Sequence, residues 1–342
     1  MTARDFQSTT SGDRSTTLRG TRREFFAHGG HGLGRSLGRT AFACTLFITA
    51  CGGDAPVGPT LGSPTFDGNA AMEHVRTQVA FGPRVPGTPG HAAQLDWMLD
   101  HLGRHAPVVV ADTFDYVTTN GDSLVLTNVM ARFAPEQTRR LLVLAHWDTR
   151  PTADEAADSA DWNTPIAGAN DGASGTAVLL VMAEMLSDAL LPLGVDLLFV
   201  DGEDYGPTVE DMLLGAKRYA ETLSDDDRPI YGLLLDMVGD ADPSFPVEGI
   251  SAQAAKVIVQ KVWRAAERLG YRAYFPTAVG RDLTDDHVPL IEAGLPTANL
   301  IDFTYGPDNA YWHSLEDRVE HVSAGTLGMV GAVVTELIFS GG

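Results

Sequence analysis

Acids and histidines recur in this chain directly after runs of apolar residues. Asp201, Glu203 and Asp204 follow the strand-like run 195–200, with only Gly202 between them. His146 and Asp148 follow the run 140–145, Asp236 follows 231–235, and Asp302 follows 297–301. Two loops add to the set. Asp171 lies within Gly168-Ala169-Asn170-Asp171-Gly172-Ala173-Ser174-Gly175, and His313 within Tyr311-Trp312-His313. Burying several carboxylates together is unfavourable unless a cation compensates them. No Lys or Arg stands between Val195 and Gly206, so a metal ion is the expected counter-charge. Imidazole nitrogen and carboxylate oxygen are donors that zinc accepts, usually with one position left open where the ion is catalytic.

A lone Asp after a strand is more often a turn or cap residue than a ligand. The surrounding elements give the set its meaning. Apolar periodicity predicts helices over 70–79, 91–102, 176–187, 213–222, 253–269 and 320–339. Strand patterns cover 108–117, 124–133, 140–145, 195–200, 231–235 and 297–301. Asn120-Gly121 joins the first two as a hairpin. Strands alternating with helices predict a single α/β domain of three layers, αβα, with a mainly parallel central sheet and a hairpin edge. Open sheets of this kind place their ligands outside the carboxyl ends of the strands. That is where the acids stand.

The chain has 342 residues, 44% hydrophobic and 20% charged, as a globular protein does. Its formal charge of -21 argues against a nucleic-acid partner, whose phosphates would be repelled. The first fifty residues read as a lipoprotein signal peptide. Thr21-Arg22-Arg23-Glu24-Phe25-Phe26 resembles a twin-arginine export signal, and 41–50 is apolar but too short to span a bilayer. That run ends Ile48-Thr49-Ala50-Cys51, like a lipobox, so Cys51 is expected to carry a lipid. Residues 51–66, rich in Gly and Pro, read as a flexible tether, and 67–342 as the catalytic domain. The expected location is outside the cytoplasm, anchored on the periplasmic or cell-envelope side of a bacterial membrane. Cys44 and Cys51 are the only cysteines, so the mature domain has no disulfide and no cysteine chemistry.

In their order along the chain, these motifs resemble a known family. His146-x-Asp148, the Asp171 loop, Asp201-Gly202-Glu203-Asp204, Leu235-Asp236-Met237, Asp285-Asp286-His287 and Trp312-His313 follow the zinc aminopeptidase clan. Within it they are most similar to the glutaminyl cyclases, particularly bacterial members related to the animal enzymes. The resemblance spans about 67 to 340. It implies that Asp171, Asp204 and His313 hold one zinc, that Glu203 is the general acid and base, that Asp236 and Asp285 are acids lining the site, and that Trp312 packs on the substrate. It has two departures: Asp204 stands where the animal enzymes have Glu, and Asn299 where they have His.

The activity so implied is cyclisation of an N-terminal glutamine, on peptide or protein N-termini, with release of ammonia. Asp236 and Asp285 are expected to share a proton or to hold the leaving nitrogen, and Asp148 to orient His146. A metal-dependent aminopeptidase is the alternative. There His146 and Asp236 bind a second zinc, Asp171 bridges the pair and Glu203 activates water. A third reading is a lipoprotein that keeps the fold as a binding module without catalysis.

Overall fold

The computed structural model describes residues 64–342. The expected signal peptide and most of the expected tether, including Cys44 and Cys51, lie outside the described residues. Phe66, placed at the end of the tether, is only 7% exposed and packs into the core against Gly331, so folded structure has begun by that residue.

Six strands form one sheet: β1 (Val108–Val117), β2 (Ser123–Phe133), β3 (Arg140–His146), β4 (Gly194–Val200), β5 (Gly232–Asp236) and β6 (Thr297–Ile301), in the order β1-β2-β4-β3-β5-β6. The four strands β4, β3, β5 and β6 run parallel. The β1–β2 hairpin adds an antiparallel edge, with β2 antiparallel to β4. β3 and β4 are buried along their whole length because side chains alternate between two covered faces. Leu141, Val143 and Ala145 face one core with Val195, Leu197 and Phe199, while Leu142 and Leu144 face the other with Leu198 and Val200.

Helices α1 (Gly68–Ala80), α2 (Pro89–His105), α3 (Ala173–Leu186), α6 (Lys256–Arg268) and α8 (Ala324–Phe339) cover the first face. On the second lie α4 (Leu214–Thr222) and α7 (His287–Glu292). The expected three layers are therefore present.

Two expected helices differ. The one read as 253–269 is broken at Ala255, between α5 (Gly249–Ala254) and α6, where φ -128 and ψ 28 leave the helical region. The last starts at Ala324 rather than 320, because the Ser323 side chain accepts from the Gly325 and Thr326 N–H groups and caps it there. α7 has no counterpart among the expected elements; it is short and carries Pro289 inside it.

Candidate active site

Asp171, Glu203, Asp204, Asp236, Asp285, Trp312 and His313 line one cavity of about 300 Å³ at the carboxyl edge of the sheet. β4 delivers Glu203 and Asp204, β5 delivers Asp236, and the segment entering α7 delivers Asp285. The turn after β4 is fixed by Asp148, whose two oxygens accept the N–H groups of Glu203 (3.1 Å) and Asp204 (3.2 Å). Its Oδ1 is 3.7 Å from His146 Nδ1, an ion-pair separation beyond hydrogen-bond length, so its hydrogen bonds hold the acidic turn rather than orient His146 as the sequence suggests.

The glycine-rich loop before α3 positions Asp171. Gly172 has φ +93, and a side chain there would collide with the Asp148 carbonyl. Asn170 Oδ1 accepts the Gly239 N–H at 2.8 Å, and Ser174 Oγ accepts the Val238 N–H at 3.0 Å. One loop thus holds both Asp171 and the turn behind Asp236. That turn carries Met237 at φ +46, and His313 itself sits at φ +51. Such backbone in a non-glycine residue costs on the order of 1–3 kcal/mol and persists where surrounding contacts enforce it.

Two trios of donors share Asp171. In one, His313 Nε2 lies 3.2 Å from Asp204 Oδ1 and 3.6 Å from Asp171 Oδ2. In the other, His146 Nε2 lies 3.1 Å from Asp171 Oδ1 and 3.2 Å from Asp236 Oδ1. Ligands 2.0–2.1 Å from a tetrahedral zinc stand about 3.3 Å apart, so both trios have the spacing of a zinc shell. Asp204 Oδ2 is buried without a hydrogen-bond partner, an orphan that a metal ion would satisfy. The residues present therefore fit zinc.

The charges divide the cavity. Burial raises the Asp204 pKa, but His313 and Arg150 outweigh it and hold the carboxyl below its ordinary range. Glu203 is pushed well above its ordinary value, first by burial, then by Asp204, Asp286 and Asp285, against the opposing charge of His146. Burial and the neighbouring Asp236 push Asp285 up to about 6, and burial with Asp204 pushes Asp171 to about 6. Burial disfavours charge on His146, yet Asp148, Asp171, Asp236 and Glu203 lift its pKa well above that of ordinary imidazole. Asp236 and Asp285 do not depend on each other for donors. Asp236 meets His146, while Asp285 accepts from the Asp286 N–H and the Asn299 side-chain amide, both at 2.6 Å.

Several residues in the site went unnoticed in the sequence. Arg150 donates to Asp204 at 2.9 Å and to both oxygens of Asp154, so a cation does reach the acidic turn, from 54 positions away. Asp317 accepts the N–H groups of Asn170 (2.7 Å) and Asp171 (3.1 Å) and the Tyr305 hydroxyl (2.9 Å). Glu248 caps α5 and reaches the Leu283 N–H and His287, fixing the segment that bears Asp285. In the other direction, Asp201 and Asp302 leave the site. Asp201 pairs with His91 at 2.9 Å and takes the Thr127 N–H, and Asp302 takes those of Ser244 and Thr304. Trp312 stands at the cavity wall, stacked on the His313 ring at 3.8 Å and edge-on to Phe303 at 4.9 Å.

The chain as a whole is similar to several known proteins. A glutaminyl-peptide cyclotransferase of Boiga dendrophila is 27% identical over 291 residues, covering 73% of this chain and 75% of its own. The crystal structure of a Bacteroides thetaiotaomicron glutaminyl cyclase bound to N-acetylhistamine matches 81% of this chain and 99% of that one, with 36% identity and a TM-score of 0.78. A leucine aminopeptidase precursor from Bacteroides thetaiotaomicron matches at 36% identity and a TM-score of 0.78, over 81% of this chain and 98% of its own. The model for Peptidase family M28 matches residues 128–338, and the chain belongs to that family.

Proposed function

We propose that this chain is a glutaminyl-peptide cyclotransferase, converting an N-terminal glutamine to pyroglutamate with release of ammonia. The observation that carries the reading is the divided cavity. A zinc-spaced trio and an acid of raised pKa open on the same 300 Å³ space, beside the Trp312 indole. That space suits a single side chain.

Asp171, Asp204 and His313 would hold one zinc. Bound there, zinc would supply a Lewis acid for the glutamine side-chain carbonyl. The other steps belong to the protein. Trp312 packs on the glutamine side chain and sets its plane. Glu203 takes a proton from the α-amine, whose nitrogen attacks the side-chain carbonyl carbon. A C–N bond closes the five-membered ring, the old C–N bond breaks, and Glu203 returns the proton to the departing nitrogen as ammonia. A raised carboxylate suits this task, because its pKa lies nearer that of an α-amine, about 7.7–8.0. The nucleophile is part of the substrate, so orientation supplies much of the rate. Asp285, held by Asn299, and Asp236, held by His146, line the wall where the leaving nitrogen departs.

A second reading rests on the second trio. His146, Asp171 and Asp236 complete a donor set for two zinc ions, as an aminopeptidase needs. The two readings separate in one experiment. Purified protein is offered a Gln-peptide and a Leu-peptide, and bound zinc is counted. The cyclase reading expects ammonia from the Gln-peptide and no free leucine. Leucine release, with two zincs lost stepwise on His146→Ala and His313→Ala, would establish the aminopeptidase.

The proposal extends to location. The domain works outside the cytoplasm, held through a lipid on Cys51, and Cys51→Ala is expected to move the protein from the membrane fraction to the soluble one.

A further inference from the structure

We infer that the helical face of the molecule carries a second metal site, built from His74, His101 and Glu184. Three different helices supply it: His74 comes from α1, His101 from α2 and Glu184 from α3. Glu184 Oε1 lies 3.1 Å from His74 Nε2 and 3.5 Å from His101 Nε2, and the three donor atoms all fall within 4.8 Å of one another. These separations bracket the edge of about 3.3 Å expected around a tetrahedral zinc. They also match the 3.1–3.6 Å separations of the trios that share Asp171.

The hydrogen bonding points the same way. His101 is only 5% exposed, so its ring nitrogen needs a partner. The carbonyl it faces, that of Leu180, is 3.4 Å from Nε2, longer than a normal N–H···O bond. The neighbouring imidazoles do not supply one: the His74 ring meets it edge-on at 5.0 Å, and the His105 ring lies 4.9 Å away. His101 Nε2 thus has one long hydrogen bond, to the Leu180 carbonyl, and a 3.5 Å contact with Glu184 Oε1, an environment that a cation would serve better. Access exists, since the side chains of His74 and Glu184 are 15% and 36% exposed.

Two imidazoles and one carboxylate form a donor set for a divalent transition ion, with zinc fitting the spacing and a water completing the shell. The site is separate from the catalytic cavity. Glu184 lies eleven residues along α3 from Ala173, the helix's first residue, which is about 17 Å on a helix rising 1.5 Å per residue. An ion here ties α1 and α2 to α3, the helix whose amino end follows Asp171. Its effect is therefore on stability rather than chemistry, since a ligand that binds only the folded state raises Tm.

The test uses the intact chain, stripped with a chelator and titrated with Zn²⁺ against a chromophoric indicator. Wild type is expected to take up one equivalent more than Glu184→Gln and His74→Gln, and to show a zinc-dependent rise in Tm that both variants lose. Turnover of a Gln-peptide by the variants should match wild type. Both altered residues are partly exposed, so folding is not at risk as it would be at His101. Equal stoichiometry and equal Tm shifts in wild type and variants would overturn the inference. So would an extra equivalent that survives Glu184→Gln and disappears with His146→Ala; that result would place the additional ion beside Asp171.

Discussion

Glu203 and Asp204 are adjacent in the chain, both buried, and their carboxyls are driven in opposite directions. Asp204 stands with His313 and Arg150 and is held in its charged form. Glu203 stands with Asp285 and Asp286, and burial among acids favours its proton. The difference shows that a site is not made by collecting acids. One side of the cavity supplies cations, and its carboxylate is kept ready to bind a metal. On the other, burial and neighbouring acids outweigh the opposing charge of His146, and Glu203 and Asp285 hold a proton more readily than an ordinary carboxylate. The turn fixed by Asp148 is what lets two neighbouring residues enter such different surroundings.

The sharpest way to break this contrast is to remove the cationic side. His313→Ala leaves two protein ligands where zinc needs three. Bound zinc and cyclase activity should disappear together, to background, as read by metal analysis and ammonia release on one sample. Zinc-replete protein without His313 would mean that the Asp204 side is not the metal side.

The acid side should fail differently. Glu203→Gln removes the proton carrier and leaves the trio intact. Zinc should stay at wild-type stoichiometry while kcat falls on the order of 10²–10⁴, the usual contribution of general acid–base catalysis. A variant near wild-type rate would remove Glu203 from the role given to it. Asn299→Ala, one step further out, deletes a 2.6 Å hydrogen bond to Asp285. A net hydrogen bond is worth about 1 kcal/mol, so kcat should fall about fivefold. If KM alone moves, Asp285 acts in binding rather than in the proton steps.

Much of this division was legible in the sequence, and what was missed has a common cause. Glu203, Asp204 and Asp236 stood out because they follow apolar runs, and Asp171 because it sits in a glycine-rich turn; His313 showed only as a histidine in a loop, and Asp285 came with the family resemblance alone. Arg150, Asp317 and Glu248 were not seen. Each acts on a partner far along the chain: Arg150 on Asp204, Asp317 on Asn170, Glu248 on Leu283 and His287. Nothing in the local pattern marks a long-range acceptor of backbone N–H groups. Asp201 and Asp302 show the reverse error. They carry the same local signal as Asp204 and Asp236, yet His91 and the Thr127 N–H claim Asp201, while the N–H groups of Ser244 and Thr304 claim Asp302. The start of α5 at Gly249 was hidden for a related reason, since the Glu248 cap fixes it and the apolar periodicity does not show it.

The smallest effect lies beneath the acid side, where Glu248 and Asp286 should respond to pH with opposite sign. Burial works against the Glu248 charge, but His287, Ser251 and the N–H groups of Leu283 and Ile250 bring its pKa down to about 2. Asp286 is fully buried, neither of its oxygens has a partner, and burial with Asp285 pushes its pKa well above the ordinary range. A carboxyl lowered on folding stabilises the fold above its unfolded value, about 4.3 for Glu, and loses that contribution as pH falls through the folded value. A carboxyl raised on folding does the reverse. Its contribution is complete below about 3.9, the unfolded value for Asp, and is lost as pH rises through the folded one. Glu248→Gln should therefore lower Tm most above about pH 4.5 and converge on wild type as pH falls towards 2. Asp286→Asn should gain on wild type steadily as pH rises from about 4. Thermal melts of the three proteins across pH 3–8 read both trends. Parallel curves for wild type and Asp286→Asn would show that Asp286 ionises in the folded protein as freely as in the unfolded chain, and that the acid side lacks the proton-holding character argued for it.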